Sequence, residues 1–360
     1  MSINRIIQQA AAGAGGAVGA TILYAGTTIS GRVVAIDISD PANMSELGSI
    51  SFGVSRAVTD LVVDVENEVA FAASGGLLVA IDISDPANMS EISTYTGVGS
   101  GLAYDAEYIA LDAQNQVLYS TGSSDIVSVD VSDTSSMSHI ADVEGDTDLF
   151  NANGIALDLV ELDAYVPALS ADRLVSFGIT SGGAITKRQA LSGNALDGAS
   201  GVALDTANGY LYLASNVEDS ISSVSISNPN SMSVVDSLVN DNFDGADAVA
   251  LDLTNKIAYM VSERENGIAS IDISDPTNLV QLQSLEGGTI TDDPRDVVLD
   301  LFNNVAYVAA KSDDQITAID ISNPSSMSVI GTLSSSNLDG VECLALNIAG
   351  LESHKNSYGV

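Results

Sequence analysis

The sequence contains no tryptophan, a single cysteine (Cys343), two histidines (His139 and His354) and only 11 Lys or Arg residues in 360. Each scarcity removes a class of function. A lone cysteine forms no intrachain disulfide and anchors no cysteine metal site. Two histidines far apart, neither in a motif, argue against a histidine-based triad or zinc centre. Against 48 Asp or Glu the formal charge is -37, so nucleic acid is not an expected partner, because its binding depends on neutralising phosphates. No apolar run approaches the roughly 18 residues a membrane span needs. Gly13-Ala14-Gly15-Gly16 follows no strand, so a dinucleotide-binding reading fails its context. Aromatics make up 5% of the chain, which leaves the core to Val, Ile, Leu, Ala and Met. So acidic a surface suits salty surroundings, where screening weakens self-repulsion, and it suits cations.

What is present is a repeat. Val79-Ala80-Ile81-Asp82-Ile83-Ser84-Asp85-Pro86 reads as a strand followed by a tight turn. Val79, Ile81 and Ile83 alternate with Ala80, Asp82 and Ser84, the period of a strand with one buried face. Asp85-Pro86 supplies turn chemistry. Equivalents of Asp82 fall at positions 37, 82, 130, 178, 225, 272 and 320, at steps of 45 to 48 residues. So regular a period indicates a repeat architecture. A second phrase recurs between these, as in Val202-Ala203-Leu204-Asp205. Each unit then reads as four short antiparallel strands, A to D. The Asp ending strand A and an Asn three residues on (Asp205 and Asn208, for example) are read as turn formers rather than ligands.

The chain enters the repeat at a strand B (Ile22-Leu23-Tyr24-Ala25) and leaves it after a strand A (Cys343 to Asn347). The inference is an all-β, seven-bladed β-propeller of four-stranded antiparallel blades. Its ring is closed by the C-terminal strand pairing with the N-terminal blade. The domain reading is residues 1–19 as an N-terminal docking segment and Ala/Gly linker, 20–347 as the propeller, and 348–360 as a tail. Ile3, Arg5, Ile6 and Ile7 are the candidate anchor residues, because the apolar ones fall at helical spacing. The third and fourth units depart from the pattern. Pro167 falls within a strand, which predicts an edge or bulged position. Gly178 replaces the usual Asp, and Lys187-Arg188 is the sole adjacent basic pair, which marks either a docking side or repeat drift.

The phrase from Ser74 to Pro86 resembles the LVIVD repeat family of bacterial surface propellers. The Val-Ala-Leu-Asp…Leu-Tyr-Leu-Ala-Ser rhythm is similar to YVTN- and NHL-type propeller repeats. The resemblance implies the fold over about residues 21 to 347 and a role as an interaction platform. The stretch Met1 to Gly13 resembles the opening of marine bacteriophage virion proteins. That likeness implies a leader that holds a display domain on a particle.

Function in such a scaffold concentrates on its loops. The D-to-A and B-to-C connections share one face and carry both charges. Arg32, Arg56, Arg173, Arg264, Arg295 and Lys311 are the candidate partner-binding residues, and Asp292, Asp293 and Asp296 are candidate ligands for Ca²⁺. Strand A offers mainly Ala, Val and Leu to the channel, so a non-enzymatic role is expected. The favoured reading is a virion display protein that binds other virion proteins through its N-terminus and a host receptor or glycan through its loop face. The alternative is a secreted or cell-surface bacterial adhesion propeller, and behind it a calcium-dependent lactonase-type enzyme.

Overall fold

The computed structural model describes residues 21–97, 106–287 and 292–347. The anchor residues Ile3, Arg5, Ile6 and Ile7, the linker and the tail lie outside the described residues. Within them the chain forms seven four-stranded antiparallel sheets. Six are consecutive A-B-C-D meanders, such as Val58–Asp64, Val69–Ser74, Leu77–Asp82 and Ser90–Tyr95. The seventh joins both ends of the repeat: Val341–Asn347 pairs with Ile22–Thr27 in a register that sets Ile22 opposite Asn347 and Tyr24 opposite Ala345. The ring therefore closes by main-chain hydrogen bonds and leaves no long open edge. Among the described residues no helix is long and apolar enough to cross a membrane.

One expectation is corrected in detail. Strand C was read as buried on one face, yet Ala80 is as fully buried as Val79 and Ile81. Blades stack face to face, so each inner strand is covered on both sides. Only strand D, as in Ser45–Ser51, alternates towards solvent. Close stacking explains the small residues of strand C. The Ser176 hydroxyl donates to the Pro229 carbonyl of the next unit at 2.6 Å, and Ser270 does the same to Pro324 at 2.6 Å.

The turn readings hold. Asn208 Nδ2 donates to both Asp205 carboxylate oxygens at 2.9 and 2.8 Å. Asp85 accepts from the Ala87 N–H at 3.0 Å and from Asn88 Nδ2 at 2.8 Å. Pro167 is neither at an edge nor at a bulge: it lies in the inner strand Asp163–Ala168, where strand A has shrunk to Ala156–Asp158, so no N–H is demanded of it on that side, and its carbonyl accepts from the Asn153 N–H at 2.9 Å. The basic pair lies on the outermost strand, and each member is ion-paired. Lys187 Nζ lies 2.5 Å from Asp146 and 2.6 Å from Asp148. Arg188 Nη1 lies 2.7 Å from Asp163. Gly178 makes room for this last pair: a Cβ there would meet Arg188 Nε at 2.7 Å.

Candidate functional site

Strand A lies innermost, and its first residues do not run straight. In five blades the register with strand B slips by one residue near the start of strand A. The slips fall between Val58 and Asp60, Ala199 and Val202, Ala246 and Ala248, Pro294 and Asp296, and between Val341 and Cys343. Each slip is a β-bulge, which inserts an unpaired residue and re-aims its side chain. The residues at this register position, two before the first apolar residue of the strand A phrase, are Thr59, Glu107, Asn153, Ser200, Asp247, Arg295 and Glu342. All but Ser200, whose buried hydroxyl donates to the Ala246 carbonyl at 2.9 Å, ring the mouth of the central channel on the face of the D-to-A and B-to-C loops.

At this mouth lies a cavity of about 380 Å³ that six of the seven blades reach through Thr59, Glu107, Asn153, Asp247, Arg295 and Glu342. That volume falls in the range of small-molecule sites. Arg295 is held by three carboxylates: Nη1 lies 2.6 Å from Glu263 and 3.8 Å from Asp247, and Nε lies 2.7 Å from Asp293. Lys311 Nζ lies 2.6 Å from Glu342. The hydroxyl of the half-buried Tyr108 donates to Asn153 Oδ1. Asp60 has a structural task as well. Its two oxygens accept from the N–H groups of Leu61 and of Ile109 in the next blade, both at 2.8 Å. Asp296 repeats the arrangement with Val297 at 2.8 Å and Leu344 at 2.9 Å.

The electrostatics single out Asp247. Burial pushes its carboxyl up, Arg295 pulls it down, and Glu263, Glu342 and Asp293 push it up again, to about 7. Burial works against the Arg295 charge, but the surrounding carboxylates of Glu342, Asp247, Glu263 and Asp293 hold its pKa above the ordinary value. Burial, with Asp60 and Glu342, raises Cys343 well above the ordinary thiol value, so it remains protonated and a poor nucleophile. A carboxyl poised near neutrality in a cleft is suited to proton transfer.

Of the six basic residues expected to bind a partner, Arg295 and Lys311 line this cavity. The others point elsewhere on the same face. Arg56 lies over the Phe52 ring, 5.2 Å from its centroid. Arg173 lies 3.0 Å from Asp148, Arg264 lies 3.1 Å from Asp244, and Arg32 reaches Ser49 at 3.4 Å. The structure does not gather Asp292, Asp293 and Asp296, the calcium candidates, into one ligand set. Asp293 is turned to Arg295, both Asp296 oxygens accept backbone N–H groups, and the Asp292 N–H donates to Asp313 at 3.0 Å. Among the described residues no group of three or more His, Cys, Asp or Glu is placed to hold a metal ion. Asp60, Glu107, Tyr108 and Asn153 were not expected. For Glu107 and Asn153 the register position, shared with the charged residues of the other blades, was the available signal; Asp60 and Tyr108 stand one residue further on.

Comparison with known proteins bears on the same site. The family model "Lactonase, 7-bladed beta-propeller" matches residues 158–335, and the LVIVD repeat matches residues 30–51 and 62–97. No curated protein matches the sequence. Among solved structures, a protein from Lactobacillus plantarum is 15% identical, with a TM-score of 0.75, over 91% of this chain and 99% of that one. The Pseudomonas aeruginosa periplasmic gluconolactonase is 14% identical, with a TM-score of 0.72, over 91% and 99%. A putative 6-phosphogluconolactonase from Bacteroides uniformis is 12% identical, with a TM-score of 0.76, over 91% and 100%. At this identity the solved structures establish the fold. The lactonase match over residues 158–335 overturns the expectation of a non-enzymatic display module, and nothing found supports the resemblance to phage virion proteins. The physical reason is that the cavity is lined by polar residues at the start of strand A, four of them (Thr59, Asp247, Arg295 and Glu342) at register slips, and not by the Ala, Val and Leu further along the strand. The chain is a seven-bladed β-propeller carrying LVIVD repeats, and its residues 158–335 match the lactonase propellers.

Proposed function

We propose that the chain hydrolyses a small lactone in the cavity at the channel mouth. The observation that carries this reading is Asp247, pushed up to about 7 in a cavity of about 380 Å³, with Arg295 at 3.8 Å. The lactonase match over residues 158–335 supports it independently. In the reaction, the ionised Asp247 takes a proton from water, and the water oxygen bonds to the lactone carbonyl carbon. The carbonyl oxygen becomes an oxyanion that faces Arg295 and Lys311, the cationic donors of the cavity. Collapse breaks the ring C–O bond, and the leaving alkoxide takes the proton back from Asp247. One water is consumed and a hydroxy acid is released.

The test is a pH-stat assay with D-glucono-1,5-lactone, corrected for spontaneous hydrolysis. Turnover above background is expected, with activity falling as pH drops below about 7 because the base is then protonated. Asp247→Asn should lower kcat by about 10²-fold or more. Wild-type protein no faster than buffer, or an Asp247→Asn variant at full rate, would refute the reading.

A further inference from the structure

The charge of the cavity carries a conclusion about which lactone it accepts. Five carboxylate side chains line it (Asp60, Glu107, Asp247, Asp296 and Glu342) against two cations (Arg295 and Lys311), a formal balance of 2 − 5 = −3. Both cations are already ion-paired. Arg295 is clamped by Glu263 at 2.6 Å and Asp293 at 2.7 Å, and Lys311 by Glu342 at 2.6 Å. A phosphate group is recognised by unengaged guanidinium or ammonium donors, or by a nest of backbone N–H groups. Here an incoming phosphate would compete with a carboxylate on each cation and would face the remaining ones. Two backbone N–H groups at the mouth, those of Leu61 and Ile109, already donate to Asp60.

We infer that the cavity selects an uncharged, hydroxyl-rich lactone and rejects its phosphorylated counterpart. This rests on the hydrolase reading of the same site. The lining suits a neutral polyol, because carboxylate oxygens accept hydroxyl protons and the Thr28, Thr59 and Asn153 side chains add further polar partners. The same charge acts on the product. Hydrolysis converts a neutral ring into a carboxylate, and an anion formed inside an anionic cup is driven out. Rejection by like charge is a recognised route to specificity and needs no added attractive contact.

The experiment compares kcat/KM for D-glucono-1,5-lactone and 6-phospho-D-glucono-1,5-lactone, together with equilibrium binding of glucose and glucose 6-phosphate by calorimetry. The neutral lactone is expected to be preferred by about 10- to 100-fold at low ionic strength. The gap should narrow as salt is added. Glu342→Gln, which removes one carboxylate and releases Lys311, should narrow it further. Equal or better turnover of the phosphorylated lactone would overturn this inference and leave the hydrolase reading standing. Turnover of neither lactone would overturn the hydrolase reading. In that case glucose binding more tightly than glucose 6-phosphate upholds the charge selection, and the reverse order, or binding of neither, refutes it.

Discussion

Replacing Asp247 by asparagine should make the protein more stable at pH 8 while abolishing its proposed chemistry. Burial holds the folded-state carboxyl at about 7, against an ordinary value of 3.8. The folded state therefore binds this proton more tightly than the unfolded chain does. Stability linked to Asp247 is fully present below about pH 4 and is lost as pH rises to about 7. The difference of about 3 pKa units corresponds to about 4 kcal/mol at pH 8. The side chain keeps 18% of its exposure, so solvent screening brings the expected gain to about 2 kcal/mol. The attraction of Arg295 is already contained in the shifted value. Asparagine is neutral at every pH and keeps the shape. The assay is urea unfolding of both proteins from pH 4 to pH 8. With no tryptophan and 11 tyrosines, tyrosine emission is the natural probe. The two midpoints should coincide near pH 4 and separate as pH rises, with the variant ahead. A gap that does not change with pH, or a variant less stable at pH 8, would refute the reasoning.

Other perturbations act on the scaffold. Asp60→Ala leaves the buried N–H groups of Leu61 and Ile109 without their acceptor and should cost about 3 kcal/mol, read as a fall in melting temperature. Asp60→Asn keeps one acceptor oxygen and should recover about half of that loss. Gly178→Ala drives a Cβ to 2.7 Å from Arg188 Nε and should separate that guanidinium from Asp163, whose side chain is 2% exposed. The expected cost is about 2 kcal/mol, and calorimetry should show it larger at pH 8 than at pH 5, where the stranded carboxyl can protonate. Asp205→Ala removes the acceptor of Asn208 at the far end of strand A and should lower the melting temperature by about 1 kcal/mol equivalent, with lactone turnover unchanged.

The architecture was legible because a propeller writes its geometry into a period. Two phrases at a constant spacing, one out of phase at the ends, are enough to give seven blades and a closed ring. The reading of strand C was less complete. Ala80 looks like the exposed half of an alternation, yet it lies against the neighbouring blade, and a single strand carries no mark of what covers it. The candidate site was hidden for a related reason. A bulge has no composition of its own, so Asp247, Arg295 and Glu342 read as ordinary loop charges. Glu107 and Asn153 fell between the two phrases and were passed over. Alignment of the units on the strand A phrase places all of them at one position, but their convergence on a cavity depends on the closure of the ring. The basic pair Lys187-Arg188 lies at the surface but is not free. Both residues face carboxylates, and Arg188 occupies space that other blades fill with the side chain missing at Gly178.

The most direct test of the account is a crystal structure of the protein with gluconolactam, a neutral and stable analogue of the lactone ring. The account predicts the ring in the cavity at the channel mouth, with its carbonyl oxygen within hydrogen-bond distance of Arg295 or Lys311 and its carbonyl carbon towards Asp247. A ring bound at the opposite end of the channel or on the outer strands, or an empty cavity at saturating ligand, would contradict it.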